Sequence, residues 1–245
     1  MMANQYDCVV LRIAKVGADT LILNFRPSEP FEFVPGQFIS LVIPSHRGKL
    51  ITKRCYSLAN SPQSVAKTGY ELCVKVVPGG VGSTYLDHLN VGEHFRITAP
   101  YGGFTYQKSS SARHVIMIST GTGIAPFKSI VESKLFQENR PQSVLSLLGV
   151  RSERDIPYRG VFEGCGVEHV VAVSKPSESW AGFRGRVTDY LRQLPVQWKW
   201  NHCDFYLCGN GEMIEEVKRI LIEERGVSPR AIYGEAFSVK KKSAA

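Results

Sequence analysis

The sequence predicts two domains: an antiparallel β barrel over residues 1–108 and an α/β domain with a parallel sheet over residues 109–245. Three observations predict them. The first part is a series of alternating, β-branched runs: DCVVLRIAKV, TLILNF, QFISLVIP, YELCVKVV and HFRITAP. Turn residues such as VPGQ, VPGG and APYGG bound these runs, the pattern of a barrel or sandwich. Beyond them, the apolar strands HVIMIS, SVLSLLGV, EHVVAV, DFYLCG and RAIYGEAF alternate with the amphipathic segments IAPFKSIVESKLFQ, VTDYLRQL and EMIEEVKRILIEE. That rhythm belongs to a parallel sheet with helices on both faces, a Rossmann-like arrangement.

Within this outline a helix is expected from Ser83 to Leu89, with Ser83 suited to cap it. The small polar stretch QKSSSAR, from Gln107 to Arg113, reads as the linker. In the last helical segment Met213, Val217, Ile220 and Leu221 fall on one apolar face.

Bulk properties narrow the class. A chain of 245 residues, 43% hydrophobic and 21% charged, can bury one large core or two modest ones and is neither disordered nor a charged coiled coil. No apolar run approaches the roughly 20 residues of a membrane helix. The opening MMANQYDCVV lacks the pattern of a secretory signal, so a soluble, cytoplasmic protein is expected. The net charge of +8 is spread, with 11 basic against 7 acidic residues up to residue 110 and 19 against 15 after it. A spread excess argues against a nucleic-acid arm and favours anionic ligands or an acidic partner. Its one dense run, Lys240 to Lys242, reads as a solvated tail. The cysteines Cys8, Cys55, Cys73, Cys165, Cys203 and Cys208 form no CxxC pair and do not fit the spacing of a plant-type iron–sulfur cluster. Most are expected to be reduced and buried, Cys208 being the exception, and no metal site is expected.

Five segments carry the chemistry. The first strand of the α/β part runs into Thr120-Gly121-Thr122-Gly123-Ile124-Ala125-Pro126, a strand–Gly turn–helix context suited to a phosphate, with Pro126 in the first helical turn. In the barrel, Arg54-Cys55-Tyr56-Ser57 offers a cation, an aromatic ring and a hydroxyl on one short strand. Gly80-Val81-Gly82-Ser83 is a second glycine turn opening a helix. Cys208-Gly209-Asn210-Gly211-Glu212-Met213 lies at the carboxyl end of a parallel strand, the ligand-facing edge of such a sheet. Tyr233-Gly234-Glu235-Ala236-Phe237 stands near the end of the sequence. Two phosphate-type turns in two domains suggest a protein of two nucleotides.

Together, in order and across nearly the whole chain, these segments resemble the ferredoxin–NADP reductase superfamily of flavoproteins, without a fused iron–sulfur domain. The resemblance implies FAD and NADP as cofactors, NADP being favoured over NAD. It implies that Arg54, Tyr56 and Ser57 contact the flavin ring and phosphate, and that Cys73, Val74 and Lys75 form the next FAD-contacting strand. Gly80, Val81, Gly82 and Ser83 match the FAD pyrophosphate turn, and Thr120 to Pro126 the nicotinamide dinucleotide turn. Cys208, Gly209, Asn210 and Met213 match the loop that sets nicotinamide over flavin, with Cys208 close to the reacting carbon. Arg151, Lys175, Arg184 and Arg186 resemble the contacts to the 2′-phosphate. The catalytic set so implied is Ser57, Cys208 and Glu235. Ser57 is placed to hydrogen-bond at flavin N5, Cys208 lets the rings approach, and Glu235 holds or polarises its neighbours. Plant-type members end on an aromatic residue, whereas SVKKKSAA follows Phe237 here. That leaves Phe237 three places: on the flavin, on its adenine, or packed only.

The activity implied is hydride transfer between NADP(H) and FAD, with ferredoxin or flavodoxin as the one-electron partner. The alternatives are an NADH-dependent reductase component of an oxygenase or cytochrome system, and a flavin-binding electron-transfer subunit without turnover of its own.

Overall fold

The computed structural model describes residues 3–44, 52–107, 113–195 and 199–237. Most of the expected linker and the run Lys240 to Lys242 lie outside the described residues.

Alternation of apolar and polar residues builds the first sheet. Its strands are β1 (Asn4–Val16), β2 (Thr20–Pro27), β3 (Phe38–Ile43), β4 (Thr52–Ser57), β5 (Tyr70–Lys75) and β6 (His94–Tyr101), in the antiparallel order β4-β3-β6-β1-β2-β5. Leu21, Leu23 and Phe25 of β2, Ile39 and Leu41 of β3, and Leu72 and Val74 of β5 recur every second residue and fill the interior. A bridge between Leu58 and Leu72 joins the two edge strands, and Ala59 N–H donates to Glu71 O at 2.8 Å, so the sheet closes on itself as a barrel. Short helices α1 (Val65–Thr68) and α2 (Val81–Asp87) lie in its connections.

The second sheet is wholly parallel. Its strands β7 (His114–Thr120), β8 (Ser143–Val150), β9 (Glu168–Val173), β10 (Phe183–Arg184), β11 (Cys203–Asn210) and β12 (Ile232–Phe237) run in the order β10-β9-β8-β7-β11-β12. Connecting them are α3 (Ala125–Val131), α4 (Lys134–Glu138), α5 (Val161–Gly164), α6 (Val187–Gln193) and α7 (Gly211–Arg219). One face buries Met117, Leu148 and Tyr206 against Phe127, Phe136 and Phe162. The other buries Ile116, Leu147 and Leu207 against Leu191, Ile214 and Val217. Strands wind outward from β7 through β8 to β10 and then return to β11 on its other side. The carboxyl ends of β7 and β11 therefore form the crevice where ligands of such sheets bind.

Four local readings need correction. The helix expected at Ser83 begins at Val81, with Gly80 at its cap position. Ser83 lies inside the first turn because its Oγ accepts from Val77 N–H at 3.0 Å and donates to Gly80 O at 3.3 Å, which ties the turn rather than the helix end. The single helix expected after the GTG turn breaks at Ser133, whose Oγ caps α4 by accepting from Phe136 N–H at 3.2 Å. On α7 Ile214, rather than Met213, shares the buried face with Val217, and Met213 is half-buried beside it. Cys208, set apart from the buried cysteines on sequence, is buried like Cys8, Cys73 and Cys203, because β11 lies inside the second sheet between β7 and β12.

Candidate active site

The motifs meet in two pairs, one in each domain. In the barrel, the glycine turn packs onto β4. A Cβ at Gly82 would lie 2.6 Å from Tyr56 Oη and 2.8 Å from Arg54 Cγ, so only glycine admits this approach. Burial pushes the Tyr56 phenol up to about 12 against the pull of the Arg54 guanidinium. Arg54 is exposed and donates to Lys53 O at 2.8 Å, whereas Ser57 is buried at the strand's end.

In the α/β domain, the turn Gly121–Ile124 leads from β7 into α3, with Pro126 in the first helical turn. A Cβ at Gly123 would collide with the carbonyl of Cys208. Asn210 N–H donates to Thr120 Oγ1 at 3.0 Å, so the end of β11 is fastened to the dinucleotide-type turn. The Asn210 side chain caps α7 by accepting from Glu212 N–H at 2.7 Å. Cys208 is fully buried, and burial together with the nearby Glu235 raises its thiol well above the ordinary value, so it stays protonated.

Glu235 connects the two pairs. It lies opposite Cys208 in the register of β11 and β12. Burial pushes its carboxyl up to about 7, and the Ser57 hydroxyl of the barrel opposes that rise. Glu235 also raises the Cys55 thiol, secondary to burial, which places its charge beside the face of β4 shared by Cys55 and Ser57. Ser57 Oγ is buried and, among the described residues, forms no hydrogen bond of standard geometry. A buried hydroxyl on one face of β4 and a glycine cradle against the other fit a ligand with a polar ring edge and a phosphate. Phe237 is half-buried on the α/β core together with Tyr233, whose ring stacks on Tyr206 at 4.9 Å.

The side chains of β5 face elsewhere. Val74 points into the barrel core, Lys75 pairs with Asp19 at 2.7 Å, and Cys73 is covered by Ala59, Ala125 and Tyr158. At the outer ends of β8 and β9, Arg151 and Lys175 are exposed, and Lys175 N–H donates to Arg151 O at 2.8 Å. Among the described residues neither is in an ion pair. The Arg184 guanidinium donates to Glu178 O at 2.8 Å and Trp180 O at 2.7 Å, which staples its own loop. Arg186 is exposed at the start of α6.

Sequence reasoning missed a buried polar cluster between the domains, made by Glu71, Lys128 and Tyr158. Its only sequence signal was the i,i+4 spacing of Lys128 and Glu132, which any solvated helix shows.

Comparison with known proteins agrees with this arrangement. Residues 7–106 match the model of the oxidoreductase FAD-binding domain, and residues 117–219 that of the oxidoreductase NAD-binding domain. The chain is 30% identical to ferredoxin–NADP reductase B of Sorangium cellulosum over 97% of its own length and 99% of the relative's. It is 31% identical to the anthranilate 1,2-dioxygenase electron transfer component of Acinetobacter baylyi, over 94% of this chain and 66% of that protein. Among solved structures, an Amycolatopsis cytochrome P450 reductase superposes with a TM-score of 0.82 at 29% identity, covering 97% of this chain and 71% of that one. A Neisseria gonorrhoeae ferredoxin NADP+ reductase with bound FAD and NADP shares the fold, with a TM-score of 0.83 at 18% identity over 96% of this chain and 99% of that one. The chain is an FAD-dependent NAD(P)H oxidoreductase and belongs to the ferredoxin–NADP reductase superfamily.

Proposed function

We propose that the chain transfers hydride between NADP(H) and FAD and exchanges the electrons singly with ferredoxin or flavodoxin. The observation that carries this reading is the junction at Glu235, which joins the end of β11, the dinucleotide-type turn and the buried Ser57 hydroxyl of the barrel. In it, Arg54, Tyr56 and Ser57 with Gly80 to Ser83 hold FAD, and Thr120 to Pro126 with Cys208 to Met213 hold the nicotinamide dinucleotide. The backbone of Cys73, Val74 and Lys75 borders the flavin.

FAD, when bound, supplies the hydride-accepting centre and the ability to release electrons one at a time. The chain supplies alignment and exclusion of water. Ser57 Oγ offers a hydrogen bond at the ring edge. Cys208, neutral and small, lets the nicotinamide approach closely without placing a charge beside it. Glu235 is near half-protonation around neutral pH, with the Ser57 hydroxyl beside it. The domain boundary lies between residues 108 and 109 in this reading.

Arg151 and Lys175, exposed and adjacent at the carboxyl ends of neighbouring strands, suit the 2′-phosphate of NADP, with Arg184 and Arg186 at the rim. The net charge of +8 favours encounter with an acidic carrier. A second reading, an NADH-dependent reductase of an oxygenase or cytochrome, rests on Glu153. Its carboxylate accepts from Ser177 N–H at 3.3 Å, two residues beyond Arg151, where an acid binds ribose hydroxyls and repels a phosphate. Steady-state reduction of a bacterial ferredoxin and a flavodoxin with each nucleotide tests the two. Turnover with NADPH well above NADH supports the first reading. Turnover with NADH alone, or none with either carrier, supports the second.

A further inference from the structure

We propose that Lys128 and Glu71 form a positioning pair that holds the dinucleotide turn in register with the flavin-binding barrel. The inference rests on the reading of residues 121–126 as that turn. Lys128 lies on α3, two residues after Pro126, and Glu71 on β5, two residues before Cys73. Their side chains meet at 3.3 Å with only 9% and 14% of their surfaces exposed. Each charged group also holds a further partner. Lys128 Nζ also pairs with Glu132 at 3.0 Å and lies 5.0 Å from the centre of the Tyr158 ring. Glu71 also accepts from Asn24 Nδ2 at 3.2 Å.

A second bond runs beside the first. Ser129, next to Lys128, donates from Oγ to Asn60 O at 2.8 Å, and Asn60 Oδ1 in turn accepts from Glu71 N–H at 3.0 Å. Two consecutive residues of α3 therefore grip two barrel residues that are bonded to each other. Tyr158, which covers Lys128, arrives with a left-handed backbone (φ 58°) on the segment that begins at Arg151.

Most interdomain contacts within a chain are polar and permit motion. A lysine at such a contact would ordinarily keep its charge in water. Burying it gains little stability, because desolvation offsets the attraction, but it favours the one geometry in which every partner is reached. Sliding α3 by an ångström against β5 would strand a buried charge. The same ångström is what hydride transfer cannot tolerate, since a misplacement of about 1 Å costs a reaction on the order of a hundredfold. The pair thus makes one domain orientation, the reactive one, the favoured one.

Glu71→Gln cuts the link between domains while keeping its volume and leaving Lys128 paired with Glu132. Glu132→Gln cuts only the pair within α3. For Glu71→Gln the expected result is a roughly tenfold fall in the limiting rate of flavin reduction by NADPH, with half-saturation within about twofold of wild type and FAD retained. Hydrogen exchange should rise in residues 58–61 and 125–131. Ser129→Ala should change both readouts in the same direction by less, and Glu132→Gln should leave both near wild type. Equal effects of Glu71→Gln and Glu132→Gln, or none from either, would overturn the proposal in favour of a merely structural cluster. Wild-type flavin that no nucleotide reduces would instead count against the functional reading, and the exchange measurement would still decide whether the pair fixes the domains.

Discussion

Glu235 and Cys208 lie opposite each other on neighbouring parallel strands, and burial pushes the Glu235 carboxyl up to about 7 while the Ser57 hydroxyl opposes the rise. An acid at the meeting of two domains is thereby held where it changes charge near neutral pH. An acid raised on folding binds its proton more tightly in the native chain than in the unfolded one. Between about pH 4.5 and about 7 the native state then holds more protons, so this group's contribution to stability falls as pH rises through that window. The denaturant midpoint of the wild type should drop further between pH 5 and pH 8 than that of Glu235→Gln. Parallel pH profiles for the two would contradict an acid whose carboxyl is raised on folding.

Cys208→Ala should leave FAD bound and slow flavin reduction. The thiol is buried and protonated, so its removal costs little beyond a small cavity, about 1 kcal/mol, and the fold should persist. Flavin retention on gel filtration and the reduction rate separate the two effects. An unchanged rate would remove the role given to Cys208.

Gly82→Ala and Arg54→Ala probe the barrel half. A methyl at residue 82 must displace the Tyr56 phenol and the Arg54 stem, at a cost of about 1–3 kcal/mol. Both variants should release FAD on dilution, seen as recovery of free-flavin fluorescence, while NADP+ affinity stays near wild type. Full FAD retention in both would contradict the placement of the flavin on β4.

Arg151→Ala combined with Lys175→Ala should raise the Michaelis constant for NADPH about tenfold or more while barely moving that for NADH, since each charged hydrogen bond to a phosphate contributes about 1.5–3 kcal/mol. An unchanged ratio of the two constants would leave Glu153 as the residue that chooses the nucleotide.

The sequence made some of this legible and hid the rest for physical reasons. The alternation in TLILNF and YELCVKVV carries Leu21, Leu23, Leu72 and Val74 into the barrel interior, because period two leaves one choice of face. The run from β7 into Gly121 and Pro126 was readable because few residues permit a sharp turn into a helix. Closure of the barrel through Leu58 and Leu72 was not readable, since edge pairing depends on sheet curvature. Strand β10, two residues long, is too short for any periodic signal. Ser83 misled because a serine after glycines suits a helix cap equally well, and only the position of Val77 N–H decides otherwise. Lys128 read as a solvated helical cation, and its burial exists only once the barrel is docked against α3.

The most direct test is anaerobic stopped-flow reduction of the purified, flavin-loaded chain with NADPH carrying hydrogen or deuterium at C4, repeated with NADH. The account predicts rapid bleaching of the flavin by NADPH, slower with the deuterated nucleotide and slower still with NADH. Bound flavin that neither nucleotide bleaches would contradict hydride transfer at the Ser57–Cys208–Glu235 junction and favour an electron-transfer subunit without turnover of its own.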